Sequence, residues 1–242
     1  MEHSVEPLVS CVLATYNRPH FLRQALRCFE RQRYAARELI VVDDSSEPMA
    51  SLVPERPNIT YLRLDAPTSL GAKLNLGIAR ARGPIIQKLD DDDYYHPDFL
   101  TTTVQALAGH DPLRTVVGCD CFLVLIAATG ELRFSGHGWC AGGTLCFHRA
   151  LWERQPFREL PNAVDWWFLK DHVPERVRLQ NPELYVLVRH DAGHLWVTMG
   201  KTGVSDYFRR RSPYPRTLRE LLPAEDLAFY EQLRSAIGAA QT

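Results

Sequence analysis

Four consecutive aspartates, residues 90–93, directly follow an apolar segment, PIIQKL at residues 84–89. Like charges in contact repel and raise one another's pKa, so the run calls for a compensating positive charge. A divalent cation answers that need. Mg2+ and Mn2+ prefer carboxylate oxygens and divide their shell among one or two carboxylates, waters and substrate phosphates. Side chains alternate on an extended chain, which sends Asp90 and Asp92 one way and Asp91 and Asp93 the other, so that a D-x-D pair faces a ligand. The same residues also fit a solvated turn in which Asp93 or Asp98 caps the next helix.

The elements that must carry this run are legible as alternating strands and helices. Residues 8–14 (LVSCVLA) form a short apolar run suited to a buried parallel strand, with a turn over residues 15–18. A helix follows, with Asn17 placed to cap it and Pro19 tolerable in its first turn. Phe21, Leu22, Ala25, Leu26 and Phe29 fall on one face of that helix. Residues 38–42 (ELIVV) are a second buried strand ending in Asp43-Asp44-Ser45-Ser46, residues 59–64 a third, and residues 84–89 a fourth; a helix over about residues 72–81 precedes the fourth. The first, second and fourth strands end in polar or acidic clusters, and the carboxyl ends of parallel strands are where such sheets bind ligands. Beyond Pro97 the pattern predicts a helix over about residues 99–107 and an extended stretch over 114–127. A Gly-rich segment at 136–143, a strand at 144–147, the start of a helix at 165–170, a strand at 184–189 and a charged helical tail from residue 215 complete it.

The bulk composition narrows the function class. The chain of 242 residues is 45% hydrophobic and carries 28 basic against 29 acidic residues. A core of substantial size is available, and a net charge of −1 creates no overall field that would gather nucleic acid or an anionic membrane. Cys11 and Cys28, two of six cysteines, fall in buried strand and helix and read as small apolar residues of a reducing compartment. The N-terminal segment differs from a secretory signal and no stretch is long enough to span a bilayer. The expectation is a soluble, cytoplasmic protein.

LATYNRPHFLRQAL, ELIVVDDSS and NLGIARARGPIIQKLDDDDYYHPDFL occur in that order. Together they resemble the inverting family 2 glycosyltransferases over residues 8–100. The resemblance implies a single GT-A domain of the α/β class, with a central mixed, mostly parallel sheet flanked by helices. A nucleotide-binding lobe would occupy about 8–110, an acceptor-binding lobe about 111–200 and a helical tail about 201–242. It implies an enzyme that moves a sugar from a nucleotide-diphospho-sugar, UDP first, to an unidentified acceptor, with Mn2+ or Mg2+ as cofactor. Thr15, Tyr16, Arg18, Asp44 and Lys73 would line the nucleotide pocket, with Lys73 alternatively a solvated helix residue. Asp90 or Asp91 would address the ribose or the metal's water shell, and Asp92 would ligate the metal. His190 or His194, in RHDAGHLW, would complete that shell. Asp165, in AVDWWFLKD, would be the general base, with Asp171 as the fallback and an N-cap as the structural alternative. Val164 stands where the commoner Glu-Asp pair has its first acid. Gly142 and Gly143 would let the acceptor approach the donor sugar, and Trp139, Trp166 and Trp167 would stack on sugar faces or pack in the core.

Other chemistries fit less well. Gly200-Lys201-Thr202 lacks the earlier glycine of a phosphate loop, no G-x-G-x-x-G follows the first strand, and the acidic run lacks the later residues of an EF-hand. Cys119, Cys121, Cys140, Cys146 and nearby histidines have no zinc spacing. A sugar nucleotidyltransferase would need a Gly-rich basic loop where this chain has ATYNRP. A non-catalytic sugar-nucleotide or glycan-binding module would keep the pocket and lose its base. The expected partners are a sugar-nucleotide donor and a glycan, lipid, peptide or small-molecule acceptor, with no nucleic acid and with peripheral contact at a membrane left open.

Overall fold

The structure, a computed structural model, describes residues 6–190 and 207–240. Strand β1 (Val9–Thr15) is buried on both faces, as a central parallel strand must be, with Val9, Cys11 and Leu13 on one side and Val12 on the other. Helix α1 (Pro19–Glu30) follows, with its apolar stripe buried as the 3.6-residue period predicts. Then come β2 (Arg37–Asp43), β3 (Ile59–Arg63), α2 (Leu70–Arg80) and β4 (Ile85–Asp90). Ser69 caps α2 by accepting the Ala72 N–H at 3.3 Å, so the helix starts at Leu70, two residues before the predicted start.

The order continues through β5 (Tyr94–Tyr95), α3 (Phe99–Leu107), β6 (Thr115–Cys119), β7 (Leu123–Ile126), β8 (Glu131–Phe134) and β9 (Cys146–His148). After these lie α4 (Arg149–Arg154), α5 (Val164–His172), β10 (Glu175–Leu179) and β11 (Tyr185–Arg189). A short helix, Leu218–Leu221, and a longer C-terminal helix, Ala224–Ala240, close the chain.

A seven-stranded sheet runs β10-β6-β9-β4-β1-β2-β3, parallel except for β9, which pairs antiparallel with both β4 and β6. Its faces pack against two apolar clusters, one containing α1 and α3, the other α2 and α5. This sheet with helices on both sides is the α/β architecture the sequence implied. A four-stranded sheet, β5-β11-β7-β8, lies beside it. The single extended stretch expected over 114–127 is two strands in different sheets, β6 and β7, broken at residues 120–122.

Register explains why the polar strand ends meet. Thr15 stands opposite Asp43, and Ala14 opposite Asp90. The carboxyl ends of β1, β2 and β4 are therefore level, and β1 is the strand at which the order reverses, with β2 and β3 on one side and β4 on the other. Gly77 lets α2 lie close on this sheet: a Cβ there would stand 2.5 Å from Val12 Cγ1.

Two local expectations are corrected. Asn17 does not cap α1; it sits in the left-handed region at φ 52°, and its Oδ1 accepts the Ser46 N–H at 2.9 Å. It ties the loop after β1 to the loop after β2. Asp98 stands at the N-cap of α3 without a capping bond and pairs with Arg33 at 2.7 Å instead.

The C-terminal helix is anchored by one buried carboxylate, Asp226, which accepts Gln24 Nε2 at 2.8 Å and pairs with Arg31. All six cysteines are free. No helix among the described residues is long and apolar enough to cross a membrane.

Candidate active site

Beyond the carboxyl ends of β1 and β4 opens a cavity of about 1520 Å3, lined by residues from both halves of the chain. The acidic run divides as alternation requires. Asp91 and Asp93 are buried, while Asp90 and Asp92 are partly exposed at the cavity. Each buried member has a structural duty. Asp91 accepts Thr15 Oγ1 at 2.7 Å and Arg18 Nη1 at 2.9 Å. Asp93 accepts the Val188 N–H at 2.9 Å and the Tyr185 hydroxyl, which clamps β4 to β11. Burial raises the pKa of both.

Asp92 meets Arg18 Nη1 at 3.1 Å and His190 Nε2 at 3.2 Å through the same oxygen, Oδ2. His190 is buried at the end of β11 and its ring stacks on Phe21 with centroids 4.3 Å apart, which fixes the imidazole beside the carboxylate. Asp92 Oδ2 and the His190 Nε2 beside it, with Asp90 at the cavity, are the groups that would hold a divalent cation, although the His190 side chain is fully buried and does not itself line the cavity. His194 lies outside the described residues, as do Gly200, Lys201 and Thr202.

On the β2 side, Asp44 accepts Lys73 Nζ at 2.6 Å and the Thr68 N–H at 2.8 Å, and Lys73 also donates to the Thr15 carbonyl at 3.2 Å. Lys73 is 6% exposed and not a solvated helix residue. Tyr16 completes this end of the cavity, its ring centroid 5.9 Å from Lys73 Nζ.

The second half of the chain supplies the opposite wall. Asp165 lies in the first turn of α5, after Ala163 at the N-cap, so it is not itself the cap. Neighbouring Val164 is fully buried in the core beneath the helix, whereas Asp165 faces the cavity. Burial pushes the Asp165 carboxyl above the usual range, with the charge of Lys88 opposing. Oδ1 of Asp165 is buried without a hydrogen-bond partner. Asp171 does not line the cavity; Arg158 binds both of its oxygens at 2.7 Å.

Two consecutive glycines join these walls. A Cβ on Gly142 would stand 2.1 Å from Asp165 Oδ2, and one on Gly143 would stand 2.7 Å from Asp90 Oδ2. The Tyr95 hydroxyl holds the glycine turn to the acidic run by accepting the Asp90 N–H at 2.7 Å and donating to the Gly143 carbonyl at 2.8 Å. Lys88, buried in β4, pairs with Asp90 Oδ1 at 2.5 Å. Neither Tyr95 nor Lys88 was marked by sequence. Lys88 lies inside an apolar strand, and a buried cation two residues before four aspartates was the signal available. Trp139 and Trp166 line the cavity, whereas Trp167 is covered by Arg158 at 3.9 Å.

A separate cluster sits at the break between β6 and β7, where ligand atoms of Asp120, Cys121 and His137 lie within 4.8 Å of one another. Asp120 is already held by His137 at 2.8 Å, the Gly138 N–H at 3.0 Å and Arg178 at 3.4 Å, so the cluster is satisfied without an ion.

An open parallel sheet with its acidic crevice at the reversal of strand order, closed by a second smaller sheet, is a GT-A fold. Two solved structures carry it. The Mn2+ and GDP-Man complex of the mannosyltransferase PcManGT from Pyrobaculum calidifontis superposes with a TM-score of 0.62 at 20% identity, over 99% of this chain and 77% of that one. S. aureus TarS residues 1–349 with UDP-GlcNAc gives 0.62 at 18% identity, over 77% and 60%. Residues 10–123 match the family model described as Glycosyl transferase family 2, so the family resemblance expected over residues 8–100 is borne out. A Bacillus subtilis (strain 168) protein described as uncharacterized glycosyltransferase YwdF is 36% identical over 92 residues, which is 37% of this chain and 34% of that protein. The chain spans about a third of the length of the curated relatives it matches first.

Proposed function

We propose that this protein is a metal-dependent, inverting glycosyltransferase that moves a hexose from a nucleotide-diphospho-sugar to an acceptor hydroxyl. The observation that carries the reading is the glycine turn, whose lack of side chains leaves room for the Asp165 carboxylate beside Gly142 and the Asp90 carboxylate beside Gly143 in one cavity. Neighbouring folds bound to UDP-GlcNAc and to GDP-Man with Mn2+ support a nucleotide-diphospho-sugar as the donor class, with UDP the first nucleotide to test.

In this reading Tyr16 and the Asp44–Lys73 pair hold the nucleoside, and Asp90 addresses the ribose. Asp92 and His190 hold Mn2+ or Mg2+, which when bound neutralises charge on the departing diphosphate. Thr15 and Arg18 keep the acidic run in place through Asp91, and Arg18 also orients Asp92. Asp165 takes the proton from the acceptor hydroxyl, and its raised pKa makes it a stronger base than an exposed aspartate. A single base on the acceptor side corresponds to inversion at the anomeric carbon. The lone acid at Val164-Asp165 does not favour a module without catalysis, because the valine points into the core and the carboxylate into the cavity.

A thermal-shift screen against UDP, GDP, dTDP and CMP and their sugars, with and without Mn2+, tests the donor site through ligand-linked stabilisation. Nucleotide release from the donor so identified then tests the chemistry. Asp165→Asn should retain the shift and lose turnover. A protein that is folded and shifts with none of the nucleotides overturns the assignment.

A further inference from the structure

Five large hydrophobic side chains are conspicuously exposed among the described residues, and three of them, Trp166, Val173 and Tyr207, line this same cavity. Trp166 is 54% exposed and Val173 80%. Val173 also adopts a left-handed backbone conformation at φ 43°, which is strained for a β-branched residue. Exposure and strain concentrated at the mouth of one cavity mark a surface that meets something other than water.

The charges on that wall narrow what it meets. Lys170 stands one helical turn beyond Trp166, its Nζ 4.7 Å from the indole centroid, and Arg176 follows on β10. Both line the cavity, and neither forms an ion pair with a carboxylate among the described residues. Elsewhere in the cavity Lys73 is matched to Asp44 and Lys88 to Asp90. An indole face stacks on the apolar face of a sugar ring, and cations beside it select an anion.

We infer that the acceptor is an anionic saccharide, a sugar bearing a phosphate or carboxylate, whose ring rests on Trp166 and whose charge is held by Lys170 and Arg176. This rests on the glycosyltransferase reading for the role of Asp165. A sugar phosphate delivers a hydroxyl beside that base while its charge stays on the outer wall, where the positive side chains keep it away from the carboxylate.

The test is calorimetric titration of the protein, saturated with the nucleotide and Mn2+ found in the screen, with methyl glucoside, glucose 6-phosphate, glucuronate and inorganic phosphate. If no nucleotide binds, the same titrations are run on the free protein, so failure of the donor reading is seen separately. The expected result is binding of glucose 6-phosphate or glucuronate at least about tenfold tighter than methyl glucoside, the scale of one charge-assisted hydrogen bond. Trp166→Ala and Arg176→Gln should each weaken it by about tenfold, and Lys170→Gln likewise, with nucleotide affinity equal to wild type. The stronger of the two anionic ligands identifies the source of the charge. Equal binding of neutral and anionic sugars, or no sugar binding, overturns the inference. So does an Arg176→Gln loss confined to the nucleotide, which would assign that cation to the donor diphosphate. Binding only to vesicles of phosphatidylglycerol, with none to the soluble sugars, replaces the acceptor subsite with a membrane-docking surface.

Discussion

Gly142→Ala adds a single methyl group where an ideal Cβ lies 2.1 Å from Asp165 Oδ2 and 2.4 Å from its Cγ. The backbone of Gly142 is not in the left-handed region, so alanine is conformationally acceptable and the perturbation is purely one of contact. Opening the shorter contact to 3.0 Å, below which real Cβ atoms are essentially never found, moves the carboxylate oxygen by about 0.9 Å. Displacing a reacting group by about 1 Å costs on the order of 100-fold in rate, or about 2.7 kcal/mol of barrier. The assay is nucleotide release from the donor, with the Mn2+-dependent thermal shift measured on the same preparation to establish that the donor site is intact. The expected outcome is a fall of about 100-fold in kcat with nucleotide affinity kept. Turnover within about threefold of wild type, with the carboxylate necessarily displaced, would refute the assignment of Asp165 as the base.

Asp92→Ala should abolish the Mn2+-dependent part of the nucleotide-induced thermal shift; a full shift in this variant would remove Asp92 from the metal site. Because burial raises the Asp165 pKa, the base becomes protonated and turnover falls as pH drops through a value above the ordinary aspartate range of about 3.9. Lys88→Met removes the charge that opposes this shift, so the acid limb of the kcat profile should move to higher pH, and a stationary limb would contradict the assignment. Lys73→Met strands Asp44 as a buried carboxylate and should destabilise the fold by about 3 kcal/mol in urea denaturation. A loss below about 0.5 kcal/mol would mean the pair is solvated, as surface pairs are.

Much of the site at the ends of β1, β2 and β4 was legible because its chemistry is local in sequence. Short apolar runs marked β1, β2 and β4, and two-residue periodicity alone sorted Asp90 and Asp92 from Asp91 and Asp93, as the burial bears out. Asn17 was misread as a cap because a capping residue and a loop-bridging residue share the same composition. Its partner, Ser46, lies 29 positions away. The stretch over 114–127 was misread because both strands are apolar, and only their allegiance to different sheets separates them. Lys73 was ambiguous because a lysine in a helix is ordinarily solvated, and its burial depends on Asp44 from another strand.

Sequence by itself determined the strand and helix periods and the clustering of acids at strand ends, since each depends on side-chain chemistry within a few residues; the candidate base came from the family resemblance. Tertiary structure alone decided that Asp165 shares the cavity of the acidic run and Asp171 does not, since Arg158 draws it away. It also decided that Tyr95 ties the glycine turn to Asp90, and that His190 reaches Asp92 across 98 positions of chain. Those contacts arise from parallel register and sheet packing, which bring distant segments within ångströms, and no local pattern of residues encodes that closure.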